Sequence, residues 1–195
     1  MEWILASASP RRRELMGELV EKFDVLVAQG DETVEGMPTP KELVMILAKR
    51  KAGEVALKAE ARGKAVVGSD TVVALDGKIL GKPKDEDEAF EMLSALSGRT
   101  HEVYTGVSIL YPQTNGERGE LTEAECTKVQ FERLTTEQIL AYIATGSPMD
   151  KAGAYGIQDG GLVKEIIGSY TNVVGFPLEL CRAMMEKIRE KERGE

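Results

Sequence analysis

A chain of 195 residues, 42% hydrophobic and 30% charged, has the balance of a soluble globular protein and the size of one domain, taken here as residues 1–195. Its 33 acidic against 25 basic residues give a formal net charge of -8, which repels phosphate backbones and speaks against stable nucleic-acid binding. A single histidine excludes an HExxH zinc site, two cysteines without metal-site spacing set no disulfide framework, and no stretch approaches the ~18 apolar residues of a membrane span.

Short apolar runs alternate with longer helical patterns, the signature of α/β architecture. Trp3–Ala6 reads as a first strand, Pro10–Val20 as a helix and Phe23–Ala28 as a second strand. An acidic second residue and only a short apolar run after it do not make a signal peptide. With Cys126 and Cys181 read as reduced core thiols, a cytoplasmic location is expected. Pro40–Glu60 is a long helix with a clear start: Thr39 as N-cap, Pro40 at the first helical position, Glu42 at the capping-box position.

Ala65–Leu75 is β-branched and apolar, interrupted by Gly68-Ser69-Asp70. Asp85–Leu96 is helical, and its acidic run Asp85-Glu86-Asp87-Glu88 reads as a charged first turn complementing the helix dipole, not as a metal site. Two alternating segments, His101–Tyr111 and Leu121–Phe131, flank Pro112–Gly119, whose Asn115-Gly116 marks a β-hairpin. His101 reads as a hydrogen-bonded structural residue. Thr135–Ala144 is a helix with a Thr135/Gln138 capping box. Gly-rich loops surround a strand at Leu162–Ile167, and a last helix runs from about Pro177 to Lys191. Its tail, with neighbours Glu186–Arg189 and Glu190–Arg193, is a solvated face.

Five local signals carry chemistry. The run Ser7-Ala8-Ser9-Pro10-Arg11-Arg12-Arg13 places three cations in the first turn of a helix, against its dipole, and an arriving polyphosphate would relieve that conflict; the alternative is that the arginines splay into solvent or pair with acidic neighbours. On the Pro40–Glu60 helix, Leu43, Leu47 and Val55 form a core-facing line at steps of four, and Lys51 falls on it. Such a lysine either snorkels to an edge or reaches into a cleft. Asp70, in Gly68-Ser69-Asp70-Thr71, stands after a buried strand run, where α/β folds place ligands, although a turn aspartate has the same appearance. Lys82 in Gly81-Lys82-Pro83 projects from extended backbone. Asp150–Gln158 is a Gly/Ala-rich loop that lets backbone approach a flat ligand. With the acidic pair Asp31-Glu32, the set suits metal-assisted attack on a phosphoryl group.

These residues resemble the Maf family of nucleotide pyrophosphatases. The matching blocks are LASASPRR, the DE pair at 31–32, LAKRKA, GSDTVV, GKP, SGRTHEVYTGV, DKAGAYGIQ and NVVGFPL, in family order and over nearly the whole chain. The resemblance implies a mixed α/β fold with an elongated, curved central sheet flanked by helices, related to inosine triphosphate pyrophosphatases, with two lobes around a cleft. It implies cleavage between the α- and β-phosphates, a divalent cation (Mg²⁺ or Mn²⁺) and a homodimer. By position, Asp70 matches the family's proton acceptor; Arg11, Thr71 and Gln158 fall where substrate choice is set. Ser7, Arg12, Glu32, Lys51 and Lys82 fall on the remaining polar cleft positions, and Asp70 with Glu32 would hold the metal. One carboxylate does not easily serve both as metal ligand and as proton acceptor, and the sequence leaves both roles open for Asp70.

GSDT and AYGIQ resemble the branch acting on dTTP and UTP. A glutamine amide, with one donor and one acceptor edge, suits the imide face of thymine or uracil. Arg13 departs from the usual arginine pair. Two other readings stay in competition: a pyrophosphatase for 7-methyl-GTP or other modified nucleotides, and a nucleotide-binding regulator of septum formation.

Overall fold

A computed structural model describes residues 1–193. Seven strands form one mixed sheet: β1 (Trp3–Leu5), β2 (Asp24–Val25), β3 (Ala65–Leu75), β4 (Lys78–Leu80), β5 (Thr100–Pro112), β6 (Arg118–Phe131) and β7 (Val163–Ile167). The order is β2-β1-β3-β5-β6-β7, with β4 also on β3. Only β1 runs parallel to its neighbours, β2 and β3; the other pairings are antiparallel. The helices are α1 (Pro10–Gly17), α2 (Pro40–Ala56), α3 (Glu86–Leu96), α4 (Thr136–Ile143), α5 (Tyr170–Val174) and α6 (Leu178–Arg193). The last two residues of the expected solvated tail lie outside the described residues.

Helix α2 lies flat on one face of β3 and β5 because both strands carry glycine beneath it. A Cβ on Gly68 would stand 2.3 Å from the Ala48 carbonyl oxygen, and one on Gly106 2.3 Å from that of Val44. Any side chain there would push the helix off the sheet. The residues that α2 buries completely are Val44, Ala48, Ala52 and Val55, with Leu47 nearly so. Of the expected core line, Leu47 and Val55 are buried, whereas Leu43 and Lys51 are only half-buried and lie at the helix edge, where side chains reach past the sheet.

The opposite face holds two apolar clusters. At one end Val67, Val107 and Ile109 pack under Phe176 and, from α6, Cys181, Met184 and Ile188. At the other, Val73, Val103, Val129 and Phe131 pack under α3 and α4. A polar belt separates them. Buried Thr105 donates to the Asn172 carbonyl (2.9 Å) and shares a hydrogen bond with Thr71 (3.0 Å). The Asn172 amide donates to the Val103 carbonyl (3.0 Å) and to the Thr127 hydroxyl (2.9 Å). Each bond keeps a buried polar group satisfied where the core would otherwise be apolar.

Several boundaries differ from the sequence reading. Helix α1 stops at Gly17, not Val20, with the Leu19 and Val20 N–H groups both folding back on the Met16 carbonyl. Helix α2 stops at Ala56, not Glu60. Past it, Arg118 from β6 donates to the carbonyls of Ala56, Ala61 and Lys64, holding the chain in a short 3₁₀ turn. Strand β2 has two residues instead of six, because it pairs only with Ile4 and Leu5. Strand β4 and helix α5 were not foreseen. Cys181 is a buried thiol as expected, but Cys126 is exposed: it alternates with the buried Thr127 and so points to the other face of β6.

Candidate active site

Strand β3 is covered along one edge by two short strands that do not meet. β1 ends opposite Val67, and β4, running antiparallel from Lys78 opposite Leu75, ends with Leu80 opposite Val73. From the stretch between them Asp70, Thr71 and Val72 line a cleft of about 780 Å³. This gap is what makes a site possible, since ligand atoms can approach a strand edge only where no neighbour pairs with it. Six further segments wall the cleft: the start of α1, the Val27–Glu32 loop, the edge of α2, Gly81-Lys82 after β4, the loop at 150–158, and the end of α5 at 173–175. All nine residues singled out from the sequence line it: Ser7, Arg11, Arg12, Glu32, Lys51, Asp70, Thr71, Lys82 and Gln158.

Asp70 points to the α2 side and is 7% exposed. Lys51 Nζ donates to its Oδ1 at 2.6 Å and bridges to Glu32 Oε1 at 2.7 Å. Two carboxylates thus converge on one ammonium, from different elements and with different surroundings. Burial pushes the Asp70 carboxyl above the ordinary aspartate value, with Lys51 working against that shift. Glu32, largely exposed, is held below the usual value chiefly by its hydrogen bond from Lys51. A buried carboxylate with a raised pKa is a better proton acceptor near neutral pH than an exposed one. The Glu32 loop is strapped to α2. Glu54 accepts the N–H groups of Gln29 and Gly30, and Arg50 donates to the carbonyls of Asp31 and Thr33.

The three arginines of α1 separate into three roles. Ser9 caps the helix and Pro10 opens it, as expected. Arg12 turns inward: its Nε donates to the Gly175 carbonyl (2.9 Å), Nη1 to the Ser69 carbonyl (2.8 Å) and Nη2 to the Thr71 hydroxyl (3.1 Å). Ser7 Oγ accepts from the Ser9 N–H (3.2 Å) and stands 3.4 Å from Arg12 Nη1. Burial pulls the Arg12 pKa down, against the attraction of Asp70. The conflict with the helix dipole is thus relieved by carbonyl oxygens at this position. Arg11 remains at the cleft wall, and Arg13 is exposed.

Lys82 and Gln158 are both exposed at the cleft. Thr71 lies on the other face of β3 from Asp70, its hydroxyl engaged by Arg12 and Thr105. His101 is buried, bonded through Nε2 to the Tyr155 hydroxyl (2.7 Å) and edge-on to Phe131, in keeping with the structural role expected for it. Burial lowers its pKa to about 4. Asp85 caps α3 by accepting the Glu88 N–H (2.8 Å), so the acidic run is a helix start.

Four positions were missed: Asn172 in the belt, and Tyr142, Ser147 and Asp159 behind the Gln158 loop. The signal for α5 was present in Ser169, which accepts the Asn172 N–H as a cap. That for β4 was Asp76-Gly77, both at positive φ in a two-residue hairpin turn.

A family model described as Maf-like protein matches residues 2–188. A dTTP/UTP pyrophosphatase of Thermococcus gammatolerans is 48% identical over 185 residues, 94% of this chain and 95% of that protein. One of Clostridium novyi is 50% identical over 183 residues, 91% of this chain and 93% of that protein. Among solved structures, a HAM1 protein from Coxiella burnetii aligns with a TM-score of 0.51 at 17% identity, over 96% of this chain and 99% of that one. That likeness bears on the fold alone, and it agrees with the mixed α/β class expected from the sequence. Matched from its second residue almost to its end, this chain belongs to the Maf-like family.

Proposed function

We propose that this chain hydrolyses nucleoside triphosphates, dTTP and UTP foremost, to the monophosphate and pyrophosphate. The observation that carries the reading is Asp70: a buried carboxylate at the unpaired stretch of β3, in a cleft otherwise edged by Arg11, Lys51 and Lys82. Relatives at 48% and 50% identity over nearly their full length are named dTTP/UTP pyrophosphatases, which supports the substrate class.

In this reading a water oxygen attacks the α-phosphorus, the bond to the α–β bridging oxygen breaks, and pyrophosphate leaves with that electron pair. Asp70 takes the water proton; Lys51 holds Oδ1, which leaves Oδ2 for it. Arg11, Lys51 and Lys82 neutralise charge that builds on the phosphates. Gln158 reads the base through its amide.

Whether these residues suit a divalent cation follows from their donors. Asp70 and Glu32 already converge on one cation, the Lys51 ammonium. Among the described residues no group of three or more His, Cys, Asp or Glu side chains is placed to hold a metal. Glu32 would therefore hold Mg²⁺ or Mn²⁺ together with phosphate oxygens and water, the ordinary habit of Mg²⁺. Asp70 would be the second ligand only in place of its role as proton acceptor. When bound, the ion supplies further charge neutralisation on the triphosphate. The reading also takes the protein as cytoplasmic and dimeric; no helix of the described residues is long and apolar enough to cross a membrane.

A panel of dTTP, UTP, CTP and 7-methyl-GTP, assayed for pyrophosphate with Mg²⁺ and with Mn²⁺, tests this. The expected result is turnover led by dTTP and UTP. Preference for 7-methyl-GTP, or no pyrophosphate from any nucleotide, refutes it.

A further inference from the structure

The loop that carries Gln158 owes its shape to hydrogen bonds that lie behind it, away from the reacting phosphates. The Tyr142 hydroxyl, from α4, accepts the Gly156 N–H (3.0 Å) and donates to Asp159 Oδ2 (2.5 Å). The same Oδ2 accepts the Ser147 hydroxyl (2.6 Å). Gly156 lies two residues before Gln158 and Asp159 directly after it, and the short turn between them closes through the Asp159 N–H on the Gly156 carbonyl (3.1 Å). Both ends of that turn are thus pinned to one phenol.

The phenol has little freedom of its own. Its ring packs against the cluster that includes Val73, Val129 and Phe131. Burial and the Asp159 carboxylate push the hydroxyl up to about 12, so it stays a donor at neutral pH. Burial raises the Asp159 carboxyl, but the Ser147 and Tyr142 hydroxyls outweigh it and hold the group charged. Lys151 closes the other side: its ammonium donates to the Ser147 carbonyl (2.6 Å), the Ser147 hydroxyl (3.0 Å) and Asp150 Oδ1 (2.8 Å). Although Lys151 lines the cleft, its three donors are used inside the loop, which makes it a brace and not a phosphate ligand.

We propose that Tyr142 and Asp159 are positioning residues for base selection: they fix the Gly156–Asp159 turn so that the Gln158 amide meets a pyrimidine imide edge at one height and angle. Neither touches the nucleotide. The inference rests on Gln158 as the base-reading residue. A base-reading amide that can wander accepts several edges, whereas one held at both ends of its turn discriminates among them.

The test compares dTTP with CTP, by kcat/KM and by Kd of their α,β-methylene analogues, which cannot be cleaved at that bond. Tyr142→Phe removes the hydroxyl and keeps the ring; Asp159→Asn keeps an acceptor oxygen; Asp159→Ala removes it. Tyr142→Phe and Asp159→Ala are expected to lower the dTTP:CTP ratio about tenfold, and Asp159→Asn to stay within about twofold of wild type. In a Gln158→Ala background, Tyr142→Phe should change the ratio no further, because it acts through Gln158. A Tyr142→Phe protein that melts like wild type and keeps its ratio overturns the proposal. So does an equal further loss without Gln158, or a wild type that binds both analogues equally. If wild type turns over no nucleotide, the catalytic reading fails, and the analogue Kd ratios decide the role of Tyr142 by the same criteria.

Discussion

Arg12→Ala removes a guanidinium that ties α1 to two other parts of the chain. Its donors reach the Gly175 carbonyl, the Ser69 carbonyl on β3 and the Thr71 hydroxyl at 2.8–3.1 Å. A hydrogen bond from a charged donor contributes about 1.5–3 kcal/mol, and a carbonyl left buried without a partner costs about 1–3 kcal/mol. Relief of the desolvated cation works in the opposite direction. We expect a net loss of about 2–4 kcal/mol, which for a domain of this size lowers the melting temperature by about 5–15 °C. Arg11→Ala is the matched control. It removes a cation from the same helix turn, where the dipole opposes positive charge, and should be neutral or stabilising by about 0.3–1 kcal/mol. Thermal and urea unfolding of both variants, beside turnover of dTTP, separate the roles. Activity should fall in each, and stability only in Arg12→Ala. An unchanged melting temperature for Arg12→Ala, or equal losses in both, refutes the reasoning.

Gln158→Ala should lower kcat/KM for dTTP and UTP by one to two orders of magnitude, from a hydrogen bond worth about 1–3 kcal/mol, and spare CTP and 7-methyl-GTP; equal losses on all four would make Gln158 a loop support. The imidazole of His101 lies near 4 when folded against 6.5 ordinarily, so the folded state resists protonation. Stability is then fully present above 6.5 and declines as pH falls toward 4, by about 3 kcal/mol in all. As His101 is the single histidine, an NMR titration midpoint near 6.5 contradicts this directly. For Asp70 the folded pKa is raised, so its stability contribution is lost as pH rises through that value. Asp70→Asn should therefore melt at or above the wild-type temperature at pH 7, and a fall of more than about 5 °C contradicts it.

Helix starts were legible because their chemistry is local. Thr39 with Glu42 and Thr135 with Gln138 form reciprocal capping boxes, each within four residues of chain. Helix ends were not, because distant groups set them: α2 ends where Arg118, some sixty residues away, takes the carbonyl of its last residue, Ala56, and that of Ala61 beyond it. Lys51 was legible from a core line that holds at Leu47 and Val55 but not at Leu43. The buried face is centred on Val44, Ala48, Ala52 and Val55, and Lys51 reaches the cleft because it lies at the margin of that face. The arginine cluster was visible as an anomaly of charge, yet no local rule told Arg12, which braces the fold, from Arg11, which faces the cleft. Tyr142 and Asp159 had no sequence signal, since a phenol seventeen residues from its carboxylate becomes a clamp only once α4 packs behind the loop.

Hydrolysis at the α-phosphorus, with Asp70 as proton acceptor, is tested most directly by turnover of dTTP with Mg²⁺ in oxygen-18 water. Phosphorus NMR and mass spectrometry then locate the label, for wild type and for Asp70→Asn. The expected outcome is dTMP and pyrophosphate in equal amounts, with the label in the dTMP phosphate alone. Asp70→Asn should be slower by at least about a hundredfold. Label in the pyrophosphate, release of orthophosphate with dTDP, or an undiminished rate in Asp70→Asn would contradict it.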